Sequence, residues 1–129
     1  MLLVLLAAAA LAAPPKAITG DFDRDGRPDR AWIARKPGGF DIVVQRGADP
    51  HHPVVIHSER GDPRNYFLNK AVAGRWRSAC AKGYDIDGAG CLIRMAKTKG
   101  GELTFGQSES TEFVAIWRTR RFVVIQISD

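Results

Sequence analysis

Residues 21–29 read Asp-Phe-Asp-Arg-Asp-Gly-Arg-Pro-Asp. Carboxylates stand at the first, third, fifth and ninth places of this run, and a glycine at the sixth. Like charges crowded into one turn repel each other unless a cation neutralises them. Calcium suits such a loop, because it is a hard ion that takes about 6–8 oxygen ligands in flexible geometry. Asp21, Asp23 and Asp25 would supply alternate carboxylates, and Gly26 permits the sharp turn because it tolerates positive φ. The backbone carbonyl of Arg27 falls at the seventh place, where a main-chain oxygen is normally used, and Asp29 would close the shell. Phe22, between the first two acids, is expected to point inward as a packing anchor. The competing reading is a solvated Asp/Gly turn with no ion, since both residue types favour turns. An EF-hand is excluded: its twelfth place needs a bidentate acid, and here it is Trp32.

The segments around the loop must hold it, and they read as β-structure. Arg30 to Arg35 forms a short strand, Lys36-Pro37-Gly38-Gly39 a turn, and Phe40 to Gln45 a second strand with Phe40, Ile42 and Val44 on one face at period two. Val54 to His57 follows as a third strand beyond a Pro/His breaker, and 60–65 reads as loop. Tyr66 to Val72 is ambiguous between helix and strand. Arg75 to Ala81 alternates as a strand, and Cys91 to Met95 would pair nearby. Leu103-Thr104-Phe105 is a strand that Gly106 would end or bulge. Phe113–Trp117 and Phe122–Ile127 are almost continuously apolar runs flanking Arg118 to Arg121. They predict a hairpin near the centre of the core with both faces covered. No segment keeps a helical apolar period over three turns. The expected fold is all-β, with seven or eight strands in mostly antiparallel meanders. These would form a small sandwich or two packed blade-like sheets.

The loop and its flanks resemble the calcium loop of FG-GAP repeats, found in integrin α-subunit propellers and in VCBS-type secreted bacterial proteins. That pattern is roughly Asp-x-Asp-x-Asp-Gly-x-x-Asp, with a glycine before it and a hydrophobic strand after it. Here Gly20 precedes and Ala31-Trp32-Ile33-Ala34 follows. The resemblance covers about residues 18–47. It implies Asp21, Asp23, Asp25 and Asp29 as side-chain ligands and Arg27 as a carbonyl ligand. A single repeat cannot close a propeller, which needs about 4–8 blades. The tail, with Phe105-Gly106, Glu109-Ser110, Trp117, Arg121-Phe122 and Ser128-Asp129, is similar to small exported bacterial proteins carrying one such loop, a group for which the resemblance implies no activity.

Residues 1–12 form an apolar leader ending in Ala10-Leu11-Ala12, a small-x-small cleavage pattern, although no Lys or Arg opens it. The run is shorter than the roughly 20 residues that span a bilayer. The expectation is therefore a signal peptide over 1–12 and one domain over 13–129, periplasmic or secreted. The chain has two cysteines, Cys80 and Cys91. In an oxidising compartment they are expected to pair, and closing a loop of this size contributes about 3 kcal/mol in the chain-entropy model. No zinc or redox spacing is present.

Net charge is +5. Residues 21–29 hold more acids than bases, so the rest of the chain is more positive still. Such a surface steers toward an anionic glycan, lipid headgroup or protein. Nucleic acid fits the charge but not the compartment. Arg75 and Arg77 around Trp76, with Arg118, Arg120 and Arg121, are the candidate partner surface, since Arg and aromatic residues are enriched at interaction hot spots. Trp76 and Trp117 read equally well as core residues with basic neighbours in solvent. His51, His52 and His57 are expected as solvated residues, and Asp85, Asp87 and Gly88 as an ordinary turn. No serine, zinc or paired-carboxylate motif supports catalysis. The sequence points to a non-enzymatic, calcium-binding interaction module. The alternative is a small periplasmic enzyme or an inhibitor of a cell-wall enzyme.

Overall fold

The computed structural model describes residues 16–84 and 91–128. The expected leader and the acidic turn at Asp85, Asp87 and Gly88 lie outside the described residues, as does Asp129. Among the described residues there are ten strands and one 3-10 turn. The strands are β1 (Ile18–Gly20), β2 (Asp29–Lys36), β3 (Gly39–Gln45), β4 (Val54–Arg60), β5 (Tyr66–Lys70), β6 (Gly74–Arg77), β7 (Met95–Thr98), β8 (Leu103–Gln107), β9 (Thr111–Arg118) and β10 (Arg121–Ser128). The all-β expectation holds, with more strands than the seven or eight counted from sequence.

Three antiparallel sheets pack together. The first runs β1-β2-β3-β4, the second β10-β9-β8-β5, and β6 and β7 form a two-stranded ribbon. Period-two alternation fixes which residues meet. On β2 and β3, Ala31 opposes Val44 and Ile33 opposes Ile42; Phe40, Ile42 and Val44 are buried in the core against Leu103, Phe105 and Ala115 of the second sheet. The opposite face of the second sheet carries Val114, Ile116, Ile125 and Ile127, which pack with Ala96 of the ribbon. The second sheet is thus a middle layer. Its β9–β10 hairpin is apolar on both faces because both are covered, with Phe122 and Val124 turned to one core and Val123 and Ile125 to the other. Although its faces are central, β10 is the edge strand of its sheet.

Two local expectations need correction and one open reading resolves. The strand expected over Arg75–Ala81 stops at Arg77, and Cys80–Lys82 forms the 3-10 turn, ended by Gly83 in the left-handed region. There the chain turns because the Ala79 N–H bonds the Gln126 carbonyl of β10 instead of continuing the ribbon. The ambiguous stretch after Tyr66 is a strand, paired with β8. Gly106 neither ends nor bulges β8: it pairs in unbroken register with Phe67 and Glu112. A Cβ at 106 would run into the Thr111 carbonyl, so the glycine marks a close approach of β9.

A disulfide joins Cys80 to Cys91 across a sequence separation of 11. No helix among the described residues is long and apolar enough to cross a membrane. Burial decides where truncation matters. Phe105 is fully buried and packs on Tyr66, His57 and Phe113. Phe105→Ala is expected to cost about 3–5 kcal/mol in denaturant unfolding, whereas Val55→Ala, at a site 53% exposed, should stay within about 0.5 kcal/mol.

Candidate metal centre

The acidic loop joins β1 to β2, which pair directly through Gly20 and Asp29. That pairing brings the two ends of the loop together. Phe22 is buried in the main core, as its position between the first two acids predicts, and this pins the loop from within. Gly26 takes φ 83° at the turn.

Asp29, the first residue of β2, is completely buried. Its Oδ2 accepts the backbone N–H groups of Phe22 (2.7 Å) and Asp23 (3.1 Å). Its Oδ1 accepts the N–H of Gly47 (2.8 Å), from the segment after β3. Burial pushes the Asp29 carboxyl up to about 6, against the opposing pull of these N–H donors and with a further rise from the Asp23 charge. Gly47 allows this contact because a Cβ there would lie 2.5 Å from the Pro28 carbonyl.

Asp21 is exposed and accepts from the backbone of Asp25 and Gly26. Asp23 is buried and bridges sideways: its Oδ2 accepts from Arg46 Nε at 2.7 Å. Carboxylate oxygens of Asp21, Asp23 and Asp29, one from each, lie within 4.8 Å of one another. Asp25 is outside that group. Its Oδ1 accepts the Arg27 N–H at 2.8 Å, which is the main reason its pKa is held below the ordinary carboxylate value. The loop therefore brings together three of the four expected carboxylates, and Asp25 is not among them.

Two contacts of the loop were not foreseen from the sequence. Arg46 pairs with Asp23 and lies over the Trp117 ring, 4.4 Å from its centroid. Trp117 in turn packs edge-on against Phe122. Arg24 reaches Glu102 at 3.1 Å and the Gly100 carbonyl at 2.7 Å. Glu102 is nearly buried, which raises its pKa. The Lys99 N–H and Arg24 outweigh that and hold it below the usual range. An arginine just past a strand end carries little signal by itself; only the facing of two sheets makes it a bridge.

The basic candidates separate into two places. Arg118, Arg120 and Arg121 are exposed together at the β9–β10 turn, where Thr119 and Arg120 adopt φ 51° and 64°. Arg75 and Arg77 lie on the ribbon, whose Trp76 lines a cavity with Ile127 at the far end of β10. From Arg121 to Ile127 is six residues, roughly 20 Å at about 3.4 Å each. The histidines also divide: His52 is exposed beside Asp49, while His57 is half-buried against Phe105 and Phe113 rather than solvated.

A scan of protein-family models finds no match to this chain, and searches of curated proteins and of solved structures find none either.

Two outcomes follow for Asp29. Asp29→Ala leaves three N–H groups without an acceptor and is expected to cost about 3 kcal/mol or more, read by urea unfolding in chelator. The second concerns pH. The native carboxyl holds its proton up to about 6, above the ordinary aspartate value of 3.8. Between those limits the native state binds more protons than the unfolded one, so ion-free stability falls as pH rises through that window. Unfolding midpoints measured in chelator between the two limits check the sign.

Proposed function

We propose that this chain is an exported, calcium-stabilised β domain that acts as a binding module, presenting its Arg118–Arg121 turn to an anionic partner. The carrying observation is a continuous path of contacts, Asp23 to Arg46 to the Trp117 ring. It runs from the acidic cluster to the residue immediately before that turn. A divalent cation fits the donor set, because three carboxylates from one loop approach within 4.8 Å, two of them buried. Asp21, Asp23 and Asp29 would hold it, with Asp25 and the Arg27 carbonyl as the remaining expected ligands. Hard oxygen donors without sulfur or imidazole suit calcium rather than zinc or copper. The disulfide fits an oxidising compartment, in line with export to the periplasm or beyond.

The ion would neutralise the cluster and fix the start of β2. Arg46 would then remain poised between Asp23 and Trp117, so the orientation of the hairpin end depends on the same loop. The three exposed arginines at the turn have no acidic side chain paired to them among the described residues. Phosphate, sulfate or carboxylate groups on a glycan, lipid headgroup or protein are complementary to them.

Calorimetric and thermal titrations of the full chain test the ion. At a concentration about 100 times the dissociation constant, calcium should add about 2.7 kcal/mol of stability. Asp21→Ala combined with Asp23→Ala should remove both the heat and the gain. Identical melting in calcium and in chelator would rule the ion out. Calcium affinity should also weaken as pH falls through about 6, where Asp29 takes a proton. For the partner surface, Arg118→Ser with Arg120→Ser and Arg121→Ser should release the protein from heparin and from phosphatidylglycerol vesicles at lower salt, while Arg75→Ser with Arg77→Ser should not. Equal retention of both variants would exclude the hairpin turn as the contact.

A further inference from the structure

The main core is left open along one edge of the sandwich. β1 pairs only with Asp29, Arg30 and Ala31 of β2, and Lys16 stands in a turn rather than in the strand. The rest of β2, Trp32 to Lys36, pairs with β3 on one side and with no strand among the described residues on the other. Facing it is β5, the edge strand of the second sheet. Between the two is a cleft of about 750 Å³, within the range of about 300–1,000 Å³ usual for ligand sites. Ile18, Ile33 and Leu68 line it. Each packs against the main core and is nevertheless only half-buried.

An uncovered strand edge is a row of backbone N–H and C=O groups ready to pair with another chain, and folded proteins usually blunt it. Two other edges of this molecule are blunted. β4 carries a bulge: Ile42 opposes His57 but Val43 opposes Val55, so Ile56 is the extra residue. The β10 edge is capped, because the Ala79 N–H and Lys82 Nζ bond the carbonyls of Gln126 and Ile127. Trp32 to Lys36 has neither device. Along this stretch Ile33 and Arg35 oppose Ile42 and Phe40, which are buried in the core. Both therefore share the inner face of the sheet, with Ile33 deep in the cleft and Arg35 at its mouth.

Charge decides what the cleft accepts. Arg35 and Arg64 line it and share one carboxylate, Asp62, at 3.7 and 4.0 Å; all three side chains are exposed. Lys16, toward the β1 end of the same cleft, has no acidic side chain paired to it among the described residues. Three cations against one acid leave a site complementary to an anion. A second copy of this chain would bring its own Arg35 and Lys16 to the edge, like charge against like. A lipid chain would cover the apolar floor but leave the backbone groups of the edge unpaired and out of water. A peptide satisfies both the edge and the floor.

We propose that this cleft takes an extended acidic peptide segment of a partner protein, added to β2 as an antiparallel strand in line with β1. Its backbone pairs with Trp32 to Lys36, and alternate side chains enter the cleft. One apolar side chain packs between Ile33 and Leu68. A carboxylate side chain two residues earlier in the peptide meets Arg35 and Arg64. That order follows from antiparallel pairing, in which the residue opposite Arg35 comes two before the one opposite Ile33. The surface is separate from the Arg118–Arg121 turn. β5 and β10 are opposite edges of their sheet, three strand spacings or about 14 Å apart.

The test is NMR titration of the labelled full chain with the peptide acetyl-Thr-Glu-Thr-Val-Thr-amide at millimolar concentration. Backbone amides of Trp32 to Lys36 should shift, and those facing the cleft should exchange more slowly. Replacing the peptide's glutamate by lysine should abolish the shifts. A strand pairs with one neighbour through alternate amides, so N-methylation of one alternate set in the peptide should abolish binding. Arg35→Gln with Arg64→Gln should weaken binding about tenfold and leave melting unchanged, because exposed ion pairs contribute little stability. The proposal is overturned if the Trp32–Lys36 amides do not move, if the lysine peptide binds as well, if both N-methylated forms bind, or if the double variant binds like the parent chain. It is equally overturned if dodecyl phosphate moves the Ile33 and Leu68 methyl groups and the peptide does not. Dimerisation of the chain alone in sedimentation, with the same amides protected from exchange, would also overturn it.

Discussion

The Asp29 carboxylate stands at the junction of loop and strand with no exposed surface, and three backbone N–H groups from two separate segments point at it. Burying a carboxylate is expensive unless it is paired or hydrogen-bonded. These donors offset part of that cost and, in doing so, determine the local structure. Phe22 and Asp23 can reach Asp29 only if the loop folds back on itself. Gly47 can reach it only if the chain leaving β3 passes close to Pro28. The position of the acidic loop on the first sheet follows from where this one side chain obtains its hydrogen bonds.

From that point the constraint spreads. The loop's fold-back puts Phe22 into the core and turns Asp23 toward Arg46. Arg46 then spans the gap between the sheets to reach Trp117. On the other side, Arg24 fastens the loop to the Glu102 turn that precedes β8. A buried Asp–Arg pair is weak evidence of net stability, because desolvation consumes much of the attraction. Its clearer effect is on geometry, since few other arrangements satisfy both charges. The acidic loop is thus coupled to both sheets.

The opposite end of the molecule works by a different device. One extra residue in β4 redirects a histidine and a glutamate into the space between the sheets. Aromatic packing of Tyr66 with Phe40 and Phe105 fixes the other wall. The sandwich therefore has two chemically distinct ends, one acidic and mostly self-satisfied through the backbone, the other a polar cleft lined by Glu59 and Tyr66.

Local pattern alone determined a good deal. Alternation identified β3, because burial on a sheet face acts residue by residue at period two; the acidic loop and the Pro/His breaker marked where β2 and β4 begin, and the apolar runs identified β9 and β10. The spacing of the aspartates located the acidic loop, since a carboxylate cluster is a property of nearby residues. Two cysteines sufficed for the disulfide. Sequence could not show that β9 and β10 form a middle layer covered by the ribbon, because a continuous apolar run looks the same whichever sheets cover it. It also could not separate Asp25 from the other three acids, as that depends on which carboxylate the Arg27 N–H captures. Nor could it place Arg46 on Trp117 or Tyr66 beside Glu59: those residues are 71 and 7 apart in the chain, and only the facing of whole sheets brings each pair into contact.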